Sequence, residues 1–411
     1  MQRMECVIGG GGPAGLVLGV LLARAGVRVA VLEKHADFLR DFRGDTIHPS
    51  TMTVMDELGW LDEFLKLPHQ AVPAVFAQFG AQRIKLADFS ALPVKTPYIA
   101  MMPQWDFLNF LANKGQTYPN FRLLMQTEAM DLVFDDGRVV GLIAKGPNGE
   151  IVTLSSDLVV AADGRGSRLR ERAGFKPIDR GAPMDVLWFR LPRNPTDTME
   201  TQGRFEAGRI LIMLNRGDYW QCAFVIAKGG NDLIRRASID DFRSRVAPLL
   251  PFDAARLQAI TSWDQVSLLT VKVDRLERWA RPGLLCIGDA AHAMSPIGGV
   301  GVNLAVQDAV AAANILAKPL QTHSLSFDDL AQVQERRSFP TRVTQAMQLQ
   351  IQNTIIQRAL SERTTIQPPL VLRAILATPV LKQLPGRMIG LGVRPEHVST
   401  EIRNANCATL S

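Results

Sequence analysis

The sequence predicts an α/β protein. Its parts are a Rossmann-like, dinucleotide-binding domain with an inserted β-meander, a second domain built on an antiparallel sheet, and a helical C-terminal region. Three observations lead to this prediction. Glycine-rich turns follow apolar strand patterns at three well-separated places, around residues 10, 164 and 300. Residues 181–270 have the strand and turn pattern of an antiparallel sheet. Beyond Ser324 the pattern becomes mostly helical.

The first glycine-rich turn connects a short apolar strand to an apolar helix at 13–25. Gly10, Gly12 and Gly15 fit the pattern GxGxxG: the first allows a tight turn, the second lets the backbone approach a pyrophosphate, and the third lets the helix pack on the sheet. A second strand at 27–32 ends at an acidic residue, at the spacing expected for a carboxylate that binds ribose. An unrelated glycine-rich turn is the alternative, and the segment alone does not separate NAD from FAD. The predicted cofactor-binding residues here are Gly10, Gly12, Pro13, Ala14, Gly15, Glu33 and Lys34.

The second and third turns also follow apolar strands. From Asp163 and Gly164 onward the second reads D-G-x-x-S-x-x-R. In the third, Asp289 lies just past the strand at 284–287, and ligands bind at that edge of an open α/β sheet. A helix-capping aspartate is the alternative for Asp289, but it does not explain the glycines that follow, up to Gly301. They lead into a helix whose positive end suits the negative charge of a reduced flavin ring.

As a set, the three motifs resemble those of single-component, group A, FAD-dependent monooxygenases of the p-hydroxybenzoate hydroxylase type. That group includes ubiquinone-biosynthesis and aromatic polyketide hydroxylases. The resemblance covers residues 1 to about 330 and implies an FAD-binding domain of the glutathione-reductase type. It implies tightly but non-covalently bound FAD, with the first motif on its ADP half, Asp163 and Gly164 near the pyrophosphate, and Asp289 on the ribityl chain. The implied residues around the flavin ring are Pro296, on the face where oxygen reacts, and Gly299, Gly301, Val302 and Asn303.

The resemblance implies two further flavin contacts. Arg43 follows the second strand, where the family places a flavin-contacting arginine; Arg40 is the competing choice, and a solvated arginine is the alternative. Gln104 begins a predicted helix and would lie against the ribityl chain, although a plain helix-start glutamine fits equally well. His48 and His292 fall in segments near the flavin, but no acid or base can be assigned. The spacing of the histidines and cysteines predicts no metal site.

The domain organisation is predicted from the motifs and the strand pattern between them. Residues 128–163 read as three strands joined by turns at 135–138 and 146–149, which is the inserted β-meander. Candidate walls of the substrate site are Trp188, Phe189, Leu211, Met213, Tyr219, Trp220 and Phe224, of which strand alternation lets about half face a ligand. The predicted segments are 1–68, 98–180 and 271–325 for the FAD-binding domain, 69–97 and 181–270 for the substrate domain, and 326–411 for the C-terminal helical region.

Composition predicts a cytoplasmic enzyme. Hydrophobic residues make up 47% of the chain and charged residues 21%, which is ordinary for a globular protein. Cys6 and Cys286 fall on predicted core strands, where reduced cysteine behaves as a small apolar residue. We expect no secretion signal, because glycines and a proline interrupt the early apolar run, and no apolar stretch long enough to span a bilayer.

The net charge of +6 is concentrated near the C-terminus. Residues 332–411 contain ten Lys or Arg and four Asp or Glu, so the rest of the chain is neutral. One interpretation is a solvated basic face on a helical tail; the other is contact with an anionic membrane surface that carries an apolar substrate. No aromatic-interleaved basic motif predicts nucleic-acid binding.

The resemblance also implies a reaction. NADPH or NADH binds transiently and reduces the flavin, which reacts with dioxygen to form a C4a-hydroperoxide. This species hydroxylates a small aromatic or lipophilic substrate, of the apolar aromatic, quinone or polyketide type, in an apolar pocket. Two alternatives stay open: an FAD-dependent reductase or dehydrogenase on the same fold, and a non-enzymatic carrier, which would be colourless. The W-x-W-x-I-P signature of flavin halogenases is missing.

Overall fold

The computed structural model describes residues 3–39, 46–361, 367–368, 370–378 and 381–405. Both candidate arginines of the predicted flavin contact, Arg40 and Arg43, lie outside the described residues. The strands, numbered in chain order, are β1 (Met4–Gly9), β2 (Val29–Leu32), β3 (Thr46–Ile47), β4 (Gln70–Val72), β5 (Ala74–Phe79), β6 (Gln82–Asp88), β7 (Ile99–Met101), β8 (Phe121–Leu124), β9 (Glu128–Asp135), β10 (Arg138–Lys145), β11 (Ile151–Ala161), β12 (Ile178–Asp179), β13 (Met184–Pro192), β14 (Gln202–Glu206), β15 (Arg209–Asn215), β16 (Tyr219–Ala227), β17 (Ser267–Leu269), β18 (Asp274–Arg275), β19 (Ala280–Arg281) and β20 (Leu284–Cys286).

The helices connect and cover these strands. They are α1 (Pro13–Arg24), α2 (Pro49–Glu57), α3 (Leu61–Phe64), α4 (Gln104–Gln116), α5 (Arg168–Arg172), α6 (Asn231–Arg235), α7 (Ile239–Val246), α8 (Val300–Gln321), α9 (Phe327–Ile351), α10 (Gln357–Ser361), α11 (Leu370–Ala377), α12 (Leu384–Gly390) and α13 (Thr400–Asn404). A π-helical turn, Gln352–Ile356, joins α9 to α10.

The first sheet has the order β19-β20-β11-β1-β2-β8, in which all neighbours are parallel except the edge pair β19–β20. Val7 of β1 pairs with Val159 of β11 on one side and Ala30 of β2 on the other. All six residues of β1 are buried, because helices pack on the sheet, and an apolar run is therefore the pattern expected of a parallel strand. This is the Rossmann-like sheet that the glycine motifs predict.

The predicted β-meander is confirmed as β9, β10 and β11. Its first turn contains Asp136 and Gly137 at φ of 42° and 73°, and its second contains Gly149 at φ of 83°. These left-handed angles explain the glycines and the aspartate in the turns. The third strand is eleven residues long, so that its first half completes the meander and its second half pairs with β1.

The second sheet has the order β17-β13-β16-β15-β14-β5-β6, so β5 and β6 join it as expected, whereas β4 pairs with β7 in a separate three-stranded sheet with β3. Its two faces pack against different parts of the chain. On one face Phe189 and Phe224 make edge-to-face contacts with Phe242 of α7. The other face, here called the Ile297 face, packs together with Ile297 and consists of Val186, Trp188, Ile210, Ile212, Ala223 and Val225. The exact domain boundaries stay a prediction.

The C-terminal region is helical, as predicted, and it packs against both domains: Ile356 and Ala359 lie on the Ile297 face, whereas later residues reach the first domain. Ser326 and Asp329 form a capping box that starts α9. The segment after α12 runs back past the long helix, where Asn314 of α8 accepts from Ser399 N at 2.9 Å. Near its end, Ile402 is buried in the core of the first domain.

One helix, Ile297–Gln321, is long and apolar enough to cross a membrane by length and composition, contrary to expectation. In its most apolar window 83% of the residues are buried inside the protein, where α8 packs on α1. Burial on this scale is typical of a core helix.

Candidate cofactor and active site

The three glycine motifs meet at the carboxyl ends of β1, β11 and β20. Ala162 N donates to Gly9 O at 2.8 Å, and Ile287 N donates to Ala161 O at 3.0 Å, which links the three strand ends in a row. A Cβ atom added to Gly288 would lie 3.0 Å from Ala14 Cβ at the start of α1. Motifs that are more than 100 residues apart in the chain therefore form one site.

The first turn has the shape of a phosphate cradle. Gly10 has φ of 113°, and a Cβ atom there would overlap Ala162 O, while a Cβ atom on Gly15 would overlap Gly10 O. A Cβ atom on Gly12 would meet nothing within 4 Å, so the space in front of this residue is open. Gly12 is the N-cap of α1 and makes no side-chain cap, and Pro13 follows at the start of the helix. The residues present therefore fit the pyrophosphate of FAD: an open approach to backbone at a positive helix end.

Glu33 lies beside this turn at the end of β2. Its Oε2 accepts from Gly11 N at 3.2 Å and its Oε1 accepts from His35 N at 3.0 Å, which fixes the carboxylate at the edge of the open space. Lys34, the next residue, is exposed. The geometry suits an acidic acceptor for a ribose next to the phosphate cradle.

The carboxylate of Asp163 binds the start of α5. Its Oδ1 accepts from Ser167 Oγ at 2.5 Å, and its Oδ2 accepts from Arg168 N at 2.8 Å and Leu169 N at 3.2 Å. Burial raises the pKa of Asp163 above its usual value, although these hydrogen bonds oppose the shift. The side chain therefore shapes the second turn, and the backbone of Gly164, at φ of 86° with open space around it, is what faces outward.

Asp289 forms an ion pair that the sequence did not predict. Arg165 Nε donates to Asp289 Oδ2 at 2.9 Å, and each side chain is about one-third exposed, at 33% and 32%. Arg165 comes from the second motif and Asp289 from the third, so the pair joins the two motifs at the mouth of the site. It also places a guanidinium next to the proposed ribityl-binding carboxylate.

The turn before α8 contains two glycines in the left-handed region, Gly298 at φ of 75° and Gly299 at φ of 64°. A Cβ atom on Gly299 would lie 2.5 Å from Thr46 Oγ1, which itself donates to Gly299 O. Gly301 does not need a backbone angle that only glycine tolerates: its φ is not positive, and a Cβ atom there would meet only Met294 Cβ, at 4.0 Å. Glycine is required for the turn at Gly299, whereas at Gly301 it leaves room.

The residues on either side of this turn are held by buried polar side chains. Asn303 Oδ1 accepts from Ser50 Oγ at 2.6 Å and Thr51 Oγ1 at 2.9 Å, which binds α8 to α2. Gln348 of α9 accepts from Ser295 N at 3.1 Å and donates to Ile297 O at 2.8 Å. These two contacts bracket Pro296. The turn is therefore pre-formed by residues from α2 and α9, and its backbone amides at Val302 and Asn303 begin a helix without a side-chain cap.

Both histidines near the site have structural contacts. His48 is fully buried, and burial lowers its pKa to about 4, so the ring is neutral at physiological pH, with Nδ1 2.7 Å from Ile389 O. His292 Nε2 lies 2.6 Å from Asp308 Oδ2 inside the core. The contacts of both histidine rings favour structural roles over proton transfer.

Gln104 is half-buried at the start of α4, the helix that follows β7.

Sequence reasoning missed a buried charge cluster beneath the third motif. Asp308 of α8 and Arg337 of α9 form an ion pair at 2.9 Å, with exposures of 0% and 1%, and Arg337 also lies 3.3 Å from Glu396. Burial alone would raise the pKa of Asp308, but His292 and Arg337 together hold it below its usual value. The signal in the sequence was an aspartate, the one acidic residue of a mostly apolar helix.

Alternation along the second sheet sorts the seven candidate wall residues. Trp188 lies on the Ile297 face and is partly buried. The guanidinium of Arg190 lies over the ring of Tyr219, with 5.0 Å between Arg190 Cζ and the ring centroid. The other five pack on the opposite face, away from Ile297, and are Phe189, Leu211, Met213, Trp220 and Phe224. Five of the seven candidate wall residues therefore pack in the core on the face away from Ile297.

The chain matches a known protein family and several named proteins. Residues 3–347 match the FAD binding domain family. The chain is 31% identical over 384 residues to 6-methylpretetramide 4-monooxygenase of Streptomyces rimosus, covering 92% of this chain and 90% of that protein. It is 27% identical to 12-dehydrotetracycline 5-monooxygenase/anhydrotetracycline 6-monooxygenase of the same species, over 75% of this chain, and spans 61% of that protein.

A solved structure shows the same fold. The crystal structure of p-nitrophenol 4-monooxygenase PnpA from Pseudomonas putida aligns with a TM-score of 0.72 at 21% identity, covering 100% of this chain and 98% of that one. From its motifs, its fold and these relatives, the chain belongs to the FAD binding domain family and is an NAD(P)H-dependent flavoprotein monooxygenase.

Proposed function

We propose that FAD lies across the carboxyl ends of β1, β11 and β20, and that the enzyme hydroxylates a polycyclic aromatic compound of the polyketide type. The observation that carries this proposal is the meeting of three glycine motifs at one sheet edge, next to the Ile297 face. A long ligand can extend from the phosphate cradle toward that face. Trp188 and Ile212, the partly buried residues of that face, are apolar and suit an aromatic substrate.

The ADP half would be held by the first motif. The α1 amides after Gly12 would bind the pyrophosphate, and Glu33 would accept from the ribose hydroxyls. Asp163 would act indirectly, through the turn that it fixes, with the backbone of Gly164 nearest the phosphates. Lys34, exposed beside Glu33, would lie at the outer end of the cofactor.

The flavin half would follow the third motif. Asp289 and Gln104 would bind the ribityl chain. The amides from Gly299 to Asn303 would bind the pyrimidine side of the ring, and Pro296 would cover the face where oxygen reacts. Arg43 stays a candidate for ring contact from outside the described residues. When bound, FAD supplies the electron transfer and oxygen chemistry that place one atom of dioxygen in the substrate.

The chain's own contribution is positioning and exclusion of water. The positive end of the α8 dipole would face the ring, and its first amides would stabilise negative charge there. Trp188 and Ile212 on the Ile297 face are partly buried apolar residues that would cover an aromatic substrate. The described site supplies no acid or base that could be assigned to proton transfer.

The relatives support a polycyclic substrate. The chain is 31% identical over 92% of its length to a protein named for 6-methylpretetramide, and 27% identical over 75% of its length to one named for 12-dehydrotetracycline and anhydrotetracycline. Para-nitrophenol 4-monooxygenase of Pseudomonas, a relative named for a monocyclic phenol, is 24% identical. The alternatives of a reductase and of a non-enzymatic carrier are not favoured, since these relatives are monooxygenases.

The test is oxygen incorporation. The protein, reconstituted with FAD, is given NADPH or NADH and either 6-methylpretetramide, anhydrotetracycline or a monocyclic phenol under ¹⁸O₂. We expect a tetracyclic compound to accelerate flavin reduction and to gain one ¹⁸O atom. Hydroxylation of the phenol alone would contradict the proposed substrate class while leaving the flavin site intact.

Neighbouring residues on β13 provide a matched pair for the substrate wall. Trp188 lies on the Ile297 face and Phe189 on the opposite one. We expect Trp188→Leu to raise the KM for the accepted aromatic several-fold, with Phe189→Leu changing stability but not KM. The reverse pattern would place the substrate on the other face of the sheet.

The cytoplasmic location of the protein stays a prediction. For the basic C-terminal region two interpretations stay open, a solvated basic tail and contact with a membrane surface. Three of the C-terminal cations, Arg336, Arg337 and Arg403, pair with carboxylates inside the fold, which leaves fewer for a membrane. Sedimentation with anionic vesicles at low and at physiological salt tests this contact.

A further inference from the structure

The loop that carries Asp289 is bound on both sides of this residue by one buried carboxylate, that of Asp308. Asp308 Oδ2 accepts from Gly288 N at 3.1 Å and lies 2.6 Å from His292 Nε2. These two donors flank Asp289, one residue before it and three after it. The position of Asp289 is therefore set by what holds Asp308.

Asp308 is itself held by Arg337, which is 29 residues further along the chain. Arg337 Nε donates to Asp308 Oδ1 at 2.9 Å, so all three donors meet on a carboxylate that has no exposed surface. An ionised carboxylate in such a place requires a charged partner and satisfied oxygens. Arg337 supplies the positive charge and donates to Oδ1 of Asp308, whereas the two loop donors bind Oδ2.

Arg337 is in turn fixed by the returning C-terminal segment. Its Nη1 donates to Glu396 Oε1 at 3.3 Å and to Arg394 O at 3.4 Å. Glu396 is 4% exposed and also binds Arg336, at 2.8 and 3.0 Å. The charges balance as two guanidiniums and two carboxylates, so the cluster is a closed unit between α8, α9 and the segment around 396.

We propose that Arg337 is a positioning residue for FAD: through Asp308 it holds the Gly288–His292 loop in the place from which Asp289 reaches the cofactor. The inference rests on the proposed binding of FAD by Asp289. Without Arg337, the buried carboxylate of Asp308 loses its guanidinium partner. It then takes up a proton or admits water and no longer holds both loop donors. The C-terminal helical region in this way supports the flavin site.

The chain offers a matched control in the adjacent residue. Arg336 and Arg337 both pair with Glu396, but only Arg337 contacts Asp308, and the Arg336 side chain is 46% exposed. The test compares Arg337→Met with Arg336→Met in the full-length protein, well below the unfolding temperature of each. FAD affinity is measured by fluorescence titration, and hydrogen exchange is measured on the 288–292 peptide of the FAD-free protein.

We expect Arg337→Met to raise the Kd for FAD at least tenfold and to speed exchange in the 288–292 peptide, with Arg336→Met within twofold of wild type in both. Wild-type affinity in folded Arg337→Met, or equal losses in the two variants, would overturn the proposal. If Arg337→Met does not fold, Asp308→Asn takes its place. Its amide keeps the volume but accepts fewer donors, and wild-type Kd and exchange in that variant would equally overturn the proposal.

The exchange measurement also separates this proposal from the proposed function. If wild-type protein does not bind FAD, the flavin site is wrong. In the FAD-free protein, faster exchange of the loop in Arg337→Met alone would still show that Arg337 holds the loop, and unchanged exchange would show that it does not.

Discussion

Replacing Gly12 by Asp tests the phosphate cradle most cleanly, because the change is harmless to the fold. A Cβ atom at this position meets nothing within 4 Å. Gly12 is the N-cap of α1, and Asp is among the residues preferred there. Helix capping and the helix dipole together favour Asp over Gly by a few tenths of a kcal/mol to about 1 kcal/mol. We therefore expect the FAD-free variant to be as stable as wild type or slightly more stable.

FAD binding should respond in the opposite direction. A carboxylate in the open space before α1 would face the diphosphate, and two like charges about 4 Å apart repel by about 4 kcal/mol at an effective dielectric constant of about 20. That energy corresponds to a loss of roughly 1,000-fold in affinity. Gly12→Asn is the control, since it has the same shape and capping ability without the charge, and we expect it to lose far less.

The assay pairs thermal unfolding of the FAD-free protein with fluorescence titration of FAD. A second control is Gly15→Ala, whose Cβ would overlap Gly10 O and should lower stability directly. Wild-type FAD affinity in Gly12→Asp would refute the reasoning, because the pyrophosphate would then lie elsewhere.

Three more predictions concern the rest of the site. Asp289→Ala should weaken FAD binding by roughly 1 to 3 kcal/mol, since one hydrogen-bonding partner is lost; an unchanged Kd in the same titration would remove Asp289 from the site. Gly299→Ala should lower the Tm through strain at φ of 64°, whereas Gly301→Ala, with its nearest neighbour at 4.0 Å, should keep the Tm and affect only flavin binding and activity; equal losses of Tm would show the turn to be misplaced. The pKa of His48 is lowered by burial from 6.5 to about 4, so the unfolded state takes up a proton first as pH falls. The free energy of unfolding should therefore drop by up to about 3 kcal/mol between pH 6.5 and 4 in denaturant titrations. The His48→Gln variant should lack this part of the drop. If its free energy of unfolding depends on pH with the same slope as that of wild type, the prediction is contradicted.

The sequence was sufficient to predict the parts of the fold that depend on local pattern. The GxGxxG turn, the meander turns at Asp136 and Gly149, and the strand before Asp289 all lie where the residues indicated. Each of these features requires a particular backbone angle or a particular edge of the sheet, and glycine or an apolar run is the direct signature of that requirement.

The missing parts depend on contacts between distant residues. Asp308, Arg337 and Glu396 are separated by 29 and 59 residues, and no local pattern shows that they meet. The hydrogen-bond donors to Asp163 lie nearby in the chain, but whether they reach its carboxylate depends on the orientation of α5. The prediction of the substrate-site walls failed for a simpler reason. Alternation tells which residues share a face of the sheet, but not which face meets the flavin.

The most direct measurement of the central claim is a crystal structure of the FAD complex. We predict the diphosphate within hydrogen-bonding distance of the α1 amides that follow Gly12, a ribose hydroxyl on Glu33, and the ring against the amides of Gly299 to Asn303, facing the side of the second sheet that bears Trp188. A diphosphate bound away from the first turn, or a ring on the α7 side of that sheet, would contradict the proposed site.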